Sequence, residues 1–143
     1  MKKLVFVLLL CGLSAFPSWL LASGQKIVTA SQVNGTWRNK SSIFKIWALG
    51  DQKLQVEFLL TYEYKTLAGM MANTGSGKGT ALIEADTAIL NPEGSDETCK
   101  ITLKFANEKL IVSQAGECGF GLNVVADGIY RRVSHRKPKF GEI

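Results

Sequence analysis

Residues 53–64 read Lys53-Leu54-Gln55-Val56-Glu57-Phe58-Leu59-Leu60-Thr61-Tyr62-Glu63-Tyr64. Leu54, Val56, Phe58, Leu60, Tyr62 and Tyr64 fall on one side of an extended chain. Lys53, Gln55, Glu57, Thr61 and Glu63 fall on the other, with Leu59 the single apolar exception. Successive side chains of a strand point to opposite faces, so this alternation predicts a strand half-buried against a core. Upstream, Ile43–Leu49 is rich in β-branched and aromatic residues, and Gly50-Asp51 reads as the tight turn between the two runs. Downstream, Lys100–Phe105 and Lys109–Gln114 alternate around Asn107-Glu108. That predicts a hairpin pairing Phe105 with Leu110, Leu103 with Val112 and Ile101 with Gln114.

Thr80–Leu90 has helical propensity, but strands surround it and Asn91-Pro92 stops it. It reads as two short strands turning at Glu84–Thr87. Gly35–Lys40 and Gly128–Val133 supply strands at the two ends. About eight short strands with turn signals between them predict an all-β fold over residues 24–133, a small antiparallel barrel or barrel-like sandwich. The length of 143 residues fits one domain, and 20% charged with 46% hydrophobic residues excludes a disordered chain.

Met1-Lys2-Lys3, the apolar run from Leu4 and the small residues at Ala22-Ser23-Gly24 read as a secretory signal over residues 1–23, cut after Ala22 or Ser23. The expected address is a bacterial periplasm or the outside, with no membrane span after cleavage. Leu8-Leu9-Leu10-Cys11-Gly12 resembles a bacterial lipoprotein box, which makes anchoring through Cys11 the alternative, although Leu10 is large for the position before the cysteine. In such a compartment disulfides persist, and the hairpin brings position 99 opposite 116. A bulge at Gly116 or Gly119 then lets Cys99 pair with Cys118.

The formal net charge of +5 is concentrated at the C-terminus: residues 131–143 hold five Lys or Arg against Glu142, whereas residues 24–130 hold ten basic and eleven acidic residues. The body therefore has no basic excess for nucleic acid. Residues 134–143 are expected to be a solvated, frayed tail.

Asn73-Thr74-Gly75-Ser76-Gly77-Lys78-Gly79-Thr80 resembles the phosphate loop of adenylate kinases, with Lys78 in the lysine position. Ala72 stands at the family's first glycine, Thr74 at its proline, and no preceding strand suits a parallel sheet, so a glycine-rich hairpin loop over Lys65–Gly79 is expected and no cofactor. In that arrangement Met70 and Met71 fold over a barrel mouth lined by Tyr62 and Tyr64. Gly116–Gly121, carrying Phe120, reads as a bulged turn at the disulfide and a second contact loop. Tyr62, Tyr64, Met70, Met71, Lys78 and Phe120 are thus the candidate binding residues. His135 is the only histidine and sits in the tail, which leaves no placed base for nucleophilic catalysis and too few ligands for a metal.

Val33-Asn34-Gly35-Thr36-Trp37 resembles the Gly-x-Trp opening of lipocalins and their calycin relatives, and the Gly-Thr-Trp start of avidin-type barrels. The likeness implies an arginine on the last strand stacked across Trp37. Gly128-Ile129-Tyr130-Arg131-Arg132 carries that strand, and Arg131 is assigned the closing role. In size, leader and disulfide the chain is also similar to bacterial periplasmic lysozyme inhibitors. These resemblances imply a non-enzymatic exported binding protein for a small apolar ligand or an extracytoplasmic protein. The alternatives are an inhibitor of a hydrolase such as lysozyme, or an envelope structural protein.

Overall fold

The computed structural model describes residues 27–143; the leader expected over residues 1–23, with Cys11, lies outside the described residues. A single helical turn, α1 (Ala30–Val33), precedes eight strands: β1 (Gly35–Asn39), β2 (Ser42–Gly50), β3 (Lys53–Thr66), β4 (Gly69–Glu84), β5 (Thr87–Leu90), β6 (Lys100–Ala106), β7 (Lys109–Ala115) and β8 (Gly128–Ser134). Each strand pairs antiparallel with its neighbours in sequence, and β8 returns to β1 to close a barrel. Closure leaves the short strands no lateral edge where the ladder is complete.

The hairpin of β6 and β7 has the predicted register, with Phe105 opposite Leu110, Leu103 opposite Val112 and Ile101 opposite Gln114. Its turn residues Asn107 and Glu108 both have positive φ, 50° and 59°, the conformation that matches strand twist in a two-residue hairpin. The turn between β2 and β3 lies one residue later than expected: Asp51 and Gln52 occupy it, and Gly50 pairs with Lys53 beside a bulge. Thr80–Leu90 does form two strands, joined at Ala85-Asp86.

The barrel interior is filled. Trp37, Phe44, Ile46, Phe58, Leu60, Ile101, Leu103, Leu110 and Tyr130 are each at most 1% exposed. Phe44 stacks on Phe58 at 5.1 Å between ring centroids and meets Tyr130 edge-on at 5.0 Å. The Tyr130 hydroxyl donates to the Ala126 carbonyl at 3.0 Å, so this polar tip is satisfied inside the apolar shell.

Burial raises the Tyr130 pKa to about 12, and Asp127 adds to the rise while Ser42 opposes it. Below pH 10 the phenol is protonated in both folded and unfolded chains. Between pH 10 and about 12 the unfolded chain releases this proton and the folded one keeps it, so stability falls as pH rises. Chemical denaturation across that window is expected to lose roughly 2–3 kcal/mol, and Tyr130→Phe to flatten the loss.

The tail departs from the solvated terminus expected. The Gly141 N–H donates to both carboxylate oxygens of Glu57 at 3.0 Å, the Lys45 ammonium donates to the Lys139 carbonyl at 2.7 Å, and Lys45 pairs with Glu57 at 3.6 Å. The Lys137 ammonium lies 5.7 Å from the Trp47 ring centroid. Glu57 points outward from β3 yet is only 8% exposed, because residues 139–141 cover it. A carboxylate that accepts from a backbone amide and faces an ammonium holds a terminus that sequence composition alone describes as free.

Candidate functional site

The two ends of the barrel are built differently. At one end α1 closes the floor. The Trp37 indole donates to the Val33 carbonyl at 3.0 Å and packs edge-on against Phe105 at 5.8 Å. The Arg132 guanidinium lies 4.7 Å from the Trp37 ring centroid and donates to the carbonyls of Ser31 (2.6 Å) and Asn34 (3.2 Å). The closing arginine is therefore Arg132 and not Arg131. Along β8 the buried Tyr130 fixes the phase, so Arg132 shares its inward side and Arg131 is exposed. Partial burial beside Trp37 pulls the Arg132 pKa down, with Glu108 opposing.

At the other end the segment between β7 and β8 folds over the opening. The Cys99–Cys118 disulfide anchors it, and Val124 and Ala126 pack into the core at 4% and 0% exposure. Phe120 descends onto Phe58 edge-on, with ring centroids 5.3 Å apart, and plugs the mouth. In place of the expected bulge, the β6–β7 ladder runs unshifted to Ala115 and Gly116 (φ +77°) makes a bend just beyond it, where a Cβ would overlap the Thr98 carbonyl.

The glycine-rich stretch is not a loop. Residues 69–84 form the longest strand of the barrel, and β3 pairs with β4 from Lys53–Leu82 to Thr66–Gly69 without a break. Gly75, Gly77 and Gly79 alternate on the inner face. A Cβ on Gly75 would overlap Phe120, one on Gly77 would overlap the Phe58 ring, and one on Gly79 would lie 2.9 Å from Leu90 Cδ1. These glycines make room for large neighbours instead of breaking the chain. Lys78 is exposed on the outer face opposite Glu57, so no phosphate loop exists around it. The expected lid over Lys65–Gly79 is likewise absent.

What the long pairing creates is an arm. Beyond Leu59, the last β3 residue paired to β2, Thr61–Thr66 and Gly69–Thr74 continue as a two-stranded ribbon roughly 20 Å long at the usual strand rise. Tyr62 and Tyr64 stack on its inner side with centroids 6.0 Å apart, and Met71 sits across from Tyr64. They do not line the barrel: Tyr62 is 40% exposed, Met71 50%, Met70 67%, and Leu67 at the tip is fully exposed. An open groove of about 610 Å³ separates the arm from the mouth segment, lined by Tyr62, Tyr64, Ala72, Asn73, Thr74, Gly121, Leu122 and Asn123. The Asn73 amide donates to the Leu122 carbonyl at 3.0 Å and fixes the groove floor. No charged residue lines it.

A larger hollow of about 1150 Å³ spreads over the outer faces of β4 and β5, where Asp51, Glu84 and Asp86 surround exposed Leu82 and Ile89. It is a broad depression of the barrel wall with an acidic rim; the arm groove is smaller and more open, and what singles it out is that Tyr62 and Tyr64 meet exposed Leu122 there. The arm thus gathers four residues singled out in the sequence, Tyr62, Tyr64, Met70 and Met71. Lys78 stands further along β4, and Phe120 belongs to the plug. Asn73, Leu122 and Asn123 were missed, because nothing in the sequence ties residues 121–123 to β4. Among the described residues no cluster of three or more His, Cys, Asp or Glu side chains converges as a metal site would require. No protein-family model, curated protein or solved structure matches the chain.

Proposed function

We propose that this chain is an exported, non-enzymatic binding protein on a lipocalin-like plan, and that it engages an extracytoplasmic protein through the β3–β4 arm. The observation that carries the reading is the arm itself, a ribbon projecting past the β2 ladder that exposes Leu67 at its tip, Met71 and Tyr62 on its inner face and Met70 on its outer face. Apolar side chains concentrated in this way on one projecting element mark an interaction surface. The disulfide fits a location outside the cytoplasm. The packed interior argues against a small apolar ligand inside the barrel, and the docked tail argues against a free polybasic segment for an envelope polymer.

A photoreactive residue at Met70, introduced in cells that make the protein, is expected to give one discrete protein adduct. The same residue at exposed Lys104 on β6 gives none. Equal labelling at both positions, or none at Met70, removes the reading. A retained hydrophobic adduct in native mass spectrometry would instead restore the small-ligand version. The narrow ribbon also favours the inhibitor version, in which the tip enters a hydrolase cleft. Lysozyme turnover in excess protein tests it, and unchanged turnover counts against that target.

A further inference from the structure

We propose that the outer edge of β4 between Met70 and Ser76 is a strand-addition site, which receives an extended segment of the partner. The inference rests on the arm being the partner surface and specifies how contact is made. Peptide groups in an antiparallel strand point alternately to its two sides. Thr66 and Gly69 flank the two-residue turn of the arm, so β4 residues in phase with Gly69 bond to β3. Residues of the other phase, Met70, Ala72, Thr74 and Ser76, turn their N–H and C=O groups away from β3. The Lys78 carbonyl, in that same phase, accepts from the Glu93 N–H at 2.8 Å. From Leu82 onward β5 takes over this edge. Between Met70 and Ser76 no backbone group of another strand or of a described loop bonds to it, although Gly121 and Leu122 lie beside Thr74 and the Asn73 side chain donates to the Leu122 carbonyl.

The two edges of the arm differ in chemistry. On β3, the outward-turned residues Glu63 and Lys65 guard the edge with charge, the usual protection against unwanted pairing. On β4 the corresponding residues are Met, Ala, Thr and Ser, and the groove beside them is uncharged. An added strand would satisfy the free backbone groups and set alternate side chains into the groove next to Tyr62 and Leu122. Lys78 ends the free stretch and makes no ion pair among the described residues. The occupant is therefore an extended protein segment, uncharged alongside Ala72 and Thr74, with a carboxylate at the Lys78 end.

The probe is the acetylated, amidated peptide Val-Thr-Val-Thr-Val-Asp, with a twin N-methylated at alternate residues so that one edge cannot pair. In 15N-labelled protein the amides of Ala72, Thr74 and Ser76 are expected to exchange rapidly when free. Saturating peptide should slow them about tenfold or more, and the methylated twin should not. Changing the peptide Asp to Asn weakens binding about threefold, within the range of an exposed ion pair. No protection, or equal protection by both peptides, overturns strand addition. Loss of protection with the Met70 adduct intact removes this mode of contact but keeps the arm as partner surface. Protection without that adduct upholds the edge site and counts against the partner reading.

Discussion

Trp37→Ala is expected to lower the free energy of unfolding by about 3–5 kcal/mol, the cost of emptying an aromatic site that the surroundings cannot refill. The side chain is 1% exposed and sits where three elements meet. Its indole N–H holds the Val33 carbonyl at the end of α1, its edge meets Phe105 on β6, and its face carries Arg132 from β8. Removal leaves a cavity, an unpaired carbonyl and an arginine without its stacking partner. Trp37→Phe keeps much of the volume but loses the indole bond, and is expected to cost about 1–2 kcal/mol. Arg132→Ala falls between the two, because its two carbonyl bonds and the stack go together, whereas Arg131→Ala leaves stability within about 0.5 kcal/mol. Urea midpoints at constant slope measure all four. A Trp37→Ala loss under about 1 kcal/mol, or equal losses at Arg131 and Arg132, would show that the floor is not held this way.

The arginine pair illustrates what the sequence encodes and what it hides. Alternation is local, so it placed the strands other than the first part of β4, together with the β6–β7 register and the disulfide, and the barrel closes as an all-β fold with about eight strands expected. The phase of β8 was also present in Tyr130, whose burial forces Arg132 inward. The glycines of β4 misled for a physical reason. Three glycines in five residues look like a breaker when read alone, but their meaning depends on Phe58, Leu90 and Phe120, which are distant in sequence. Tyr62, Tyr64, Met70 and Met71 were recognisable as residues without a comfortable place in a small core. Their gathering on an arm depends on the unequal lengths of neighbouring strands: β3 and β4 have 14 and 16 residues, while β5 has 4. The same inequality exposes the β4 edge. Docking of the tail was out of reach, because it depends on contacts distant in sequence, Glu57 receiving the Gly141 amide and Lys45 donating to the Lys139 carbonyl.

Removing the Cys99–Cys118 bridge by the double change Cys99→Ala and Cys118→Ala is expected to lower stability by about 3 kcal/mol, since the bridge closes a loop of roughly 20 residues in the unfolded chain. For a domain of this size that corresponds to a fall in Tm of about 10 °C. The local consequence is larger than the global one. Cys118 anchors the segment that carries Phe120, Val124 and Ala126 over the barrel mouth, and its other hydrogen bonds to the barrel lie mostly at its two ends: Glu117 N–H to Thr98 Oγ1 at 3.1 Å, Ala126 N–H to Gln114 Oε1 at 2.9 Å and Tyr130 hydroxyl to the Ala126 carbonyl at 3.0 Å, with the Asn73 amide to the Leu122 carbonyl between them. Without the bridge, the amides of residues 119–124 are expected to exchange much faster than those of β6 and β7, whose seven-pair ladder is untouched. Loosening Phe120 uncovers Phe58 and widens the groove beside the arm, so any contact made through Leu122 and Asn123 weakens with it. Hydrogen exchange read residue by residue separates this local opening from global unfolding. Uniform acceleration across the barrel would mean that the bridge supports the whole fold and has no special hold on the mouth. Unchanged exchange at residues 119–124 would mean that packing of Phe120 on Phe58 suffices, and the groove would then owe its shape to the aromatic plug instead of the sulfur link.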